Sequence, residues 1–395
     1  MITQHGHGMR ILVAHQVPSQ RTGGMSRIMG FIHDEIVSSG HQVDYFCAED
    51  VPIGWRGSLG RRFGFQLLLR RAAVEAARRG SAYDIVNVHE PDALPITRWK
   101  RAAGSPMVVI TSHGLGRRAW ELAKEESQLG REGPAWTTRL TYPLTSLWPA
   151  EMALRGADHI FCLSNDDRTY LEQEVGRSRE SVTRIFPAAD PIYGTVSEGR
   201  DYGRAKRILF AATWRKNKGI EDLVPAFVQL ADRHPGLSLA VVSAGVHDDL
   251  VRASFPERLR SRVGCFAPRG EKAMAEAFAD ADLFLLPSLF EGTPLTIVQA
   301  MMSGLPIVAT RTCGMKDVIA DNLTGLQVPI RNPDAIVASI ERLMDDEPLR
   351  ARLGSAARAE ALSRYTWDRV AVPVRHVYER LHAARGGSPA ERRSA

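Results

Sequence analysis

The sequence predicts an α/β protein made of two doubly wound domains in tandem. Three observations carry this reading. Short apolar runs of strand length recur along the chain, helical patterns separate them, and one stretch rich in Pro, Gly and charge interrupts the series near the middle. The chain of 395 residues also suits two or three domains at roughly 150 residues each.

Met9–Ala14 (MRILVA) is strand-like, a loop with Gly23 and Gly24 follows, and a helical pattern runs to about Ser39 before Gly40 ends it. Gln42–Cys47, Asp84–Val88, Met107–Thr111, His159–Leu163 and Val182–Phe186 continue the strands. From Pro187 to Ala205 the periodicity fades, which reads as a linker. A second series opens at Arg207–Ala211 and continues with Leu237–Ser243, Leu283–Pro287 and Pro306–Thr310. Helices are expected between them at 219–233, 271–280, 294–303 and 333–346, then a helical tail over 348–385 interrupted near Pro373.

The expected domains are therefore 1–190, with tail helices 366–395 packing back on it, a linker 191–205, and 206–365. Both are Rossmann-like, facing a central cleft, and in such sheets ligands bind at the carboxyl ends of the strands.

Composition narrows the classes. Hydrophobic residues make up 44% and charged residues 24%, which disfavours disorder and a coiled coil. Lys and Arg exceed Asp and Glu by 51 to 45, and the pI is near 9.3, which favours a polyanionic partner. The uncharged run Gly292–Thr310 contains Pro294, Gly304 and Pro306, so it breaks into two short elements rather than crossing a membrane. The opening MITQHGHG is polar and does not read as a signal peptide. Cys47, Cys162, Cys265 and Cys313 lie far apart, with no CxxC and no His cluster at zinc spacing, so reduced thiols, a cytoplasmic location and no bound metal are expected.

The chemistry should sit just after the strands. Gly23 and Gly24 open the first helix, where a backbone can approach a ligand closely; the spacing is not GxGxxG. His113 follows the strand Met107–Thr111 and precedes Gly114. Arg215, Lys216 and Lys218 follow Arg207–Ala211, with Gly219 opening a helix, an arrangement suited to a diphosphate. Glu291 precedes Gly292, Thr293, Pro294 and Leu295, with Pro294 as the first residue of a helix. A carboxylate there either caps the helix or accepts hydrogen bonds from a sugar, and Gln299 follows on the second turn.

Taken together, GGMSRIMGFIHDEIVSSGHQV, TSHG, RKNKGIEDLV, FEGTPLTIVQAMMSGLPIVAT, DNLTGLQV and YTWDRV resemble the retaining glycosyltransferases of family 4, which have the GT-B fold. The resemblance spans nearly the whole chain. It implies transfer of a sugar from a nucleotide-diphosphate sugar to an acceptor hydroxyl of a glycan, a glycolipid precursor or a small molecule, without metal or cofactor. It implies that His113 lies near the donor sugar and leaving phosphate, that the Gly23-Gly24 loop approaches phosphate or acceptor, and that Arg215 and Lys218 neutralise the diphosphate. Glu291 would hold sugar hydroxyls, with the N–H groups of the residues after it supporting sugar and phosphate. The resemblance also implies retention, by the front-side displacement expected of the family; no nucleophilic carboxylate for a double displacement is evident.

Two positions depart from the family pattern. Gln299 stands where the signature has a second Glu, so a ribose contact there loses its charge assistance. Ala212-Thr213-Trp214 replaces the usual Gly-Arg, which makes the role of Arg215 less secure than that of Lys218.

Two further segments bear on the acceptor. Residues 55–79 carry Arg56, Arg61, Arg62, Arg70, Arg71, Arg78 and Arg79 against one acid, Glu75, with Phe63, Phe65 and Leu67–Leu69 among them. A basic amphipathic stretch of this kind suits peripheral contact with an anionic membrane, or packs on its own domain and shows arginines to water. Residues 116–156, with Trp120, Trp136, Tyr142 and Trp148, are expected on the acceptor side or as ordinary packing. The competing functions are another GT-B enzyme (phosphorylase, hydrolase or epimerase) and a non-catalytic subunit; no nucleic-acid motif is present.

Overall fold

In the computed structural model, residues 8–16, 24–52, 54, 63–89, 93–99, 105–131 and 133–385 are described. They form two compact units, Met1–Ile185 with Asp368–Ala395, and Phe186–Trp367.

The first unit runs β1 (Arg10–Ala14), α1 (Gly24–Ser38), β2 (Gln42–Phe46), α2 (Phe65–Arg78), β3 (Ile85–His89), α3 (Leu94–Trp99), β4 (Met107–Thr111), α4 (Gly116–Gln128), α5 (Trp136–Tyr142), α6 (Trp148–Gly156), β5 (His159–Cys162), α7 (Asn165–Gln173) and β6 (Val182–Arg184). All strands pair in parallel, in the order β2-β1-β3-β4-β5-β6. Alternation along each strand explains the layers. Leu12, Val86, Val108 and Ile160 face Phe65 and Leu69 of α2 and Leu154 of α6, while Ile11, Ile85, Val109 and Phe161 face Met29 and Ile36 of α1. Both faces are covered, so the strands read as continuous apolar runs.

The second unit runs α8 (Ile192–Val196), β7 (Arg207–Ala211), α9 (Ile220–Arg233), β8 (Ser238–Val242), α10 (Asp248–Ala253), β9 (Val263–Phe266), α11 (Gly270–Ala279), β10 (Leu283–Leu286), α12 (Leu295–Met302), β11 (Ile307–Thr310), α13 (Met315–Val318), β12 (Leu326–Val328), α14 (Pro333–Asp345) and α15 (Glu347–Arg364). Its sheet has the order β12-β11-β10-β7-β8-β9. The last helix, α16 (Trp367–Ala384), packs Val374, Val377 and Tyr378 into the core of the first unit.

Three readings need correction. The expected linker over 191–205 is packed into the second unit: Tyr193 is fully buried, and Arg200 donates to the carbonyls of Ser303, Ala281 and Phe278. Burial pushes that arginine down to about 10, although three carbonyls satisfy its donors. The tail does not break at Pro373, which lies inside α16; it breaks between Arg364 and Trp367, where Tyr365 is fully buried and its N–H caps α15 at Ala361. Strands β9 and β12 were not anticipated.

Candidate active site

In the second unit the loops after β7, β10 and β11 come from neighbouring strands and interlock. The N–H of Leu289 donates to the carbonyl of Asn217 at 2.9 Å. Thr310 Oγ1 donates to the carbonyl of Ser288, and Thr312 Oγ1 to that of Leu289 at 3.3 Å. Two glycines permit the fit. Gly219 has φ +73°, and a Cβ there would sit 1.8 Å from the carbonyl oxygen of Pro287. At Gly314 a Cβ would meet the carbonyl oxygen of Gly292 at 1.9 Å.

This interlocking brings Lys218 and Glu291 together. Lys218 Nζ donates to Glu291 Oε1, and Ser288 Oγ donates to the same oxygen at 3.1 Å. Both charged side chains are largely buried. Lys216 is engaged instead by Glu221 of α9, at 3.1 Å. Arg215 is exposed, and among the described residues its side chain makes no ion pair.

Gly292 and Thr293 are buried beside Glu291. Pro294 is the N-cap of α12 rather than its first residue, and Leu295 begins the helix. The first N–H groups of such a helix have no partner within it and face an incoming anion. On the same sheet edge Ser243 and Cys313 hold φ of 57° and 46°, left-handed values that Asn322 and Arg331 also adopt.

Gln299 is 2% exposed on α12, and its Nε2 donates to Tyr193 Oη at 2.6 Å and to Glu271 Oε1 at 3.4 Å. Its amide nitrogen is thus engaged within the unit.

In the first unit, His113 lies two residues beyond β4, where the N–H of Ser112 is tied to the carbonyl of Phe161 at 2.8 Å. His113 Nε2 lies 2.6 Å from Nδ1 of His89, the last residue of β3. His15, directly after β1, stands edge-on to His89 with centroids 5.9 Å apart. Cys47, directly after β2, places Sγ 3.4 Å from His15 Nε2. One residue from each of four adjacent strands thus forms a row along the carboxyl edge of the sheet.

Burial, with His15 adding to it, pushes His113 down to about 4. His89 is held well below the ordinary histidine range, again by burial first and then by His113 and His15. Both rings are neutral at pH 7. Burial pushes the Cys47 thiol up to about 12, with Glu49 and Asp50 adding to it, so it is a poor nucleophile.

Of the remaining site residues, Gly24 begins α1, and Gly23 lies outside the described residues. None of the four cysteines is in a disulfide. Among the described residues no group of three or more His, Cys, Asp or Glu could hold a metal ion, and no helix is long and apolar enough to cross a membrane. Ser288, His89 and His15 join the site without a motif of their own, although each stands at or just after a strand end, as His113 does.

Two family models match the chain. Residues 22–192 match the model "Glycosyltransferase Family 4", and residues 198–360 match "Glycosyl transferases group 1". The chain belongs to the family 4 type of glycosyltransferases. Within this family type, it is 26% identical over 85% of its length to the phosphatidyl-myo-inositol mannosyltransferase of Mycolicibacterium smegmatis, covering 80% of that protein. It spans about half the length of the other curated relatives it matches, among them a D-inositol 3-phosphate glycosyltransferase of Corynebacterium jeikeium, 31% identical and covered over 52%.

Solved glycosyltransferases share the fold. Sucrose-phosphate synthase from Thermosynechococcus elongatus superposes with a TM-score of 0.76 at 19% identity, over 95% of this chain and 100% of that one. Anabaena HepE in complex with UDP-glucose superposes with a TM-score of 0.63 at 16% identity, over 95% and 100%. The two parallel six-stranded sheets are those of a GT-B glycosyltransferase.

Proposed function

We propose that the protein transfers a sugar, with retention of configuration, from a nucleotide-diphosphate sugar to an acceptor hydroxyl. The Lys218–Glu291 pair, fixed at the carboxyl edge of the second sheet, carries this reading. As the glycosidic bond breaks, the leaving diphosphate gains negative charge. A cation already locked in place stabilises that charge without reorganising. Lys218 supplies the cation, the first N–H groups of α12 add to it, and exposed Arg215 serves as a second, adaptable contact. Glu291 accepts hydrogen bonds from sugar hydroxyls through the lone pairs that Lys218 and Ser288 leave available. His113 offers a neutral imidazole, able to donate or accept, to the transferred sugar.

The acceptor is a glycan, a lipid-linked precursor or a small molecule, and peripheral contact with an anionic membrane goes through residues 55–79. In the described part of that segment α2 buries Phe65, Leu69 and Ala73 in the core of its own unit, so what it leaves for a membrane is exposed Leu67 with Arg70, Arg71 and Arg78. Residues 55–62, with Arg56, Arg61 and Arg62, lie outside the described residues. Sedimentation with vesicles that do or do not contain anionic lipid tests this, and equal binding to both overturns it.

The experiment for the activity is a thermal-shift screen over nucleotide sugars, followed by transfer assays with the stabilising donor, with and without acceptor. Acceptor-dependent release of the nucleoside diphosphate supports transfer. Release independent of any acceptor identifies a hydrolase, and no stabilisation by any nucleotide sugar removes the proposal.

A further inference from the structure

We propose that His89 is a positioning residue for His113, which it locks in one rotamer and one tautomer. The inference deepens the reading of His113 as a substrate-facing group and rests on it. The first observation is the separation of 2.6 Å between His89 Nδ1 and His113 Nε2. At that distance one nitrogen carries a proton and the other accepts it; two N–H groups or two bare lone pairs would repel. The tautomers of the two rings are therefore coupled. If His89 carries its proton on Nδ1, His113 carries its own on Nδ1, and the reverse arrangement puts both on Nε2. Either way the two rings switch together, so the state of His89 is tied to whether the nitrogen of His113 that remains for a ligand donates or accepts.

The second observation is where each histidine stands. His113 follows its strand by two residues, in the loop that leads to Gly114 at φ 130°. His89 is the last residue of β3, and its Cα is in register with Thr111 of β4. Its ring lies side by side with that of His113, with centroids 4.8 Å apart and planes 18° apart, the near-coplanar arrangement an in-plane N–H···N bond needs, and His15 stands edge-on to it. Behind His15 lies Cys47 Sγ. A rigid group thus orients a loop-borne one, the arrangement that holds a working side chain to within a fraction of an ångström. Burial keeps both rings neutral, so the lock is a hydrogen bond between uncharged groups.

A histidine that only fills space can be replaced by leucine, and asparagine then offers no advantage. A positioning histidine behaves differently, because an asparagine amide reproduces the hydrogen-bonding place of the imidazole Nδ1. The test compares His89→Leu and His89→Asn in the full chain, with unfolding midpoints as the control for folding. The main readout is the long-range 1H–15N spectrum of the histidine rings, which needs no ligand. His113 is expected in a single tautomer in the wild type and in His89→Asn, and as an exchanging mixture in His89→Leu. In transfer assays with the stabilising nucleotide sugar, His89→Leu is expected to lower kcat by on the order of tenfold to a hundredfold with little change in donor KM. Asparagine restores most of that loss. An unchanged His113 tautomer in His89→Leu, or equal loss of kcat in both variants, overturns the proposal. An active His113→Ala variant removes the role of His113 itself, and the tautomer spectra still decide whether His89 locks it.

Discussion

Lys218 and Glu291 meet through a hydrogen-bonded ion pair across 73 residues of sequence, and Ser288 donates to the same carboxylate oxygen. Neither charge needs an external partner before a ligand arrives. A largely buried pair of this kind costs desolvation of both ions and is retained where one arrangement has to be specified. Here the arrangement fixes a cation and a sugar-binding carboxylate side by side.

Gly219 sets the position of Lys218, because its left-handed backbone turns the chain from the lysine loop into α9. Gly219→Ala forces a Cβ against the carbonyl of Pro287 and is expected to cost about 1–3 kcal/mol from backbone strain alone. Chemical denaturation measures the loss, and donor affinity is expected to fall with it. An unchanged midpoint would mean that the loop can re-form without the close approach.

Gln299 looks different once its partners are known. From sequence, glutamate at this position would be expected to keep activity and mainly change donor KM. In the fold, Gln299→Glu removes the donor to Tyr193 and sets a second carboxylate close to Glu271. Tyr193 can turn its hydroxyl to donate to the new carboxylate, so the expected loss of stability of about 1–3 kcal/mol comes from the second buried carboxylate beside Glu271. It should exceed any effect on KM and shrink in the Glu271→Gln background. A fully stable variant with altered donor KM would return Gln299 to direct nucleotide contact.

Three histidines held below their ordinary range make stability depend on pH. His113 and His159 are pushed down to about 4, and His89 well below its ordinary range, each chiefly by burial. The unfolded chain binds protons at these sites below about pH 6.5, and the folded chain does not until far lower. Stability from these groups is therefore complete above about 6.5 and is lost as pH falls toward 4, by on the order of a few kcal/mol in total. Unfolding midpoints at pH 7.5 and 5.0 check the sign. His159→Gln, which can keep the bond to Thr183, is expected to flatten the dependence, and an unchanged slope would assign it elsewhere.

Much of this fold can be read without coordinates because parallel strands covered on both faces are unbroken apolar runs. RILVA, MVVIT and RILFA show it. The missed strands lack that signal: VGCF at β9 includes a glycine and ends on an exposed phenylalanine, and LQV at β12 is three residues long. The segment 191–205 looks like a linker because one buried tyrosine and one arginine serving three carbonyls hold it, and neither leaves a periodic trace.

For the site, each motif was visible on its own strand end. Pairing was not, since it depends on which strands become neighbours. Lys218 and Glu291 meet because β7 lies beside β10, and His89 and His113 because β3 lies beside β4.

The most direct test of the account is the rate of sugar transfer by Lys218→Ala, measured with the donor that stabilises the wild type. If Lys218 stabilises the leaving diphosphate, kcat falls by on the order of a hundredfold or more, as when a preorganised charge-stabilising group is removed. The unfolding midpoint has to show the variant folded. Near-wild-type turnover in a folded Lys218→Ala protein would contradict the proposed role of the Lys218–Glu291 pair.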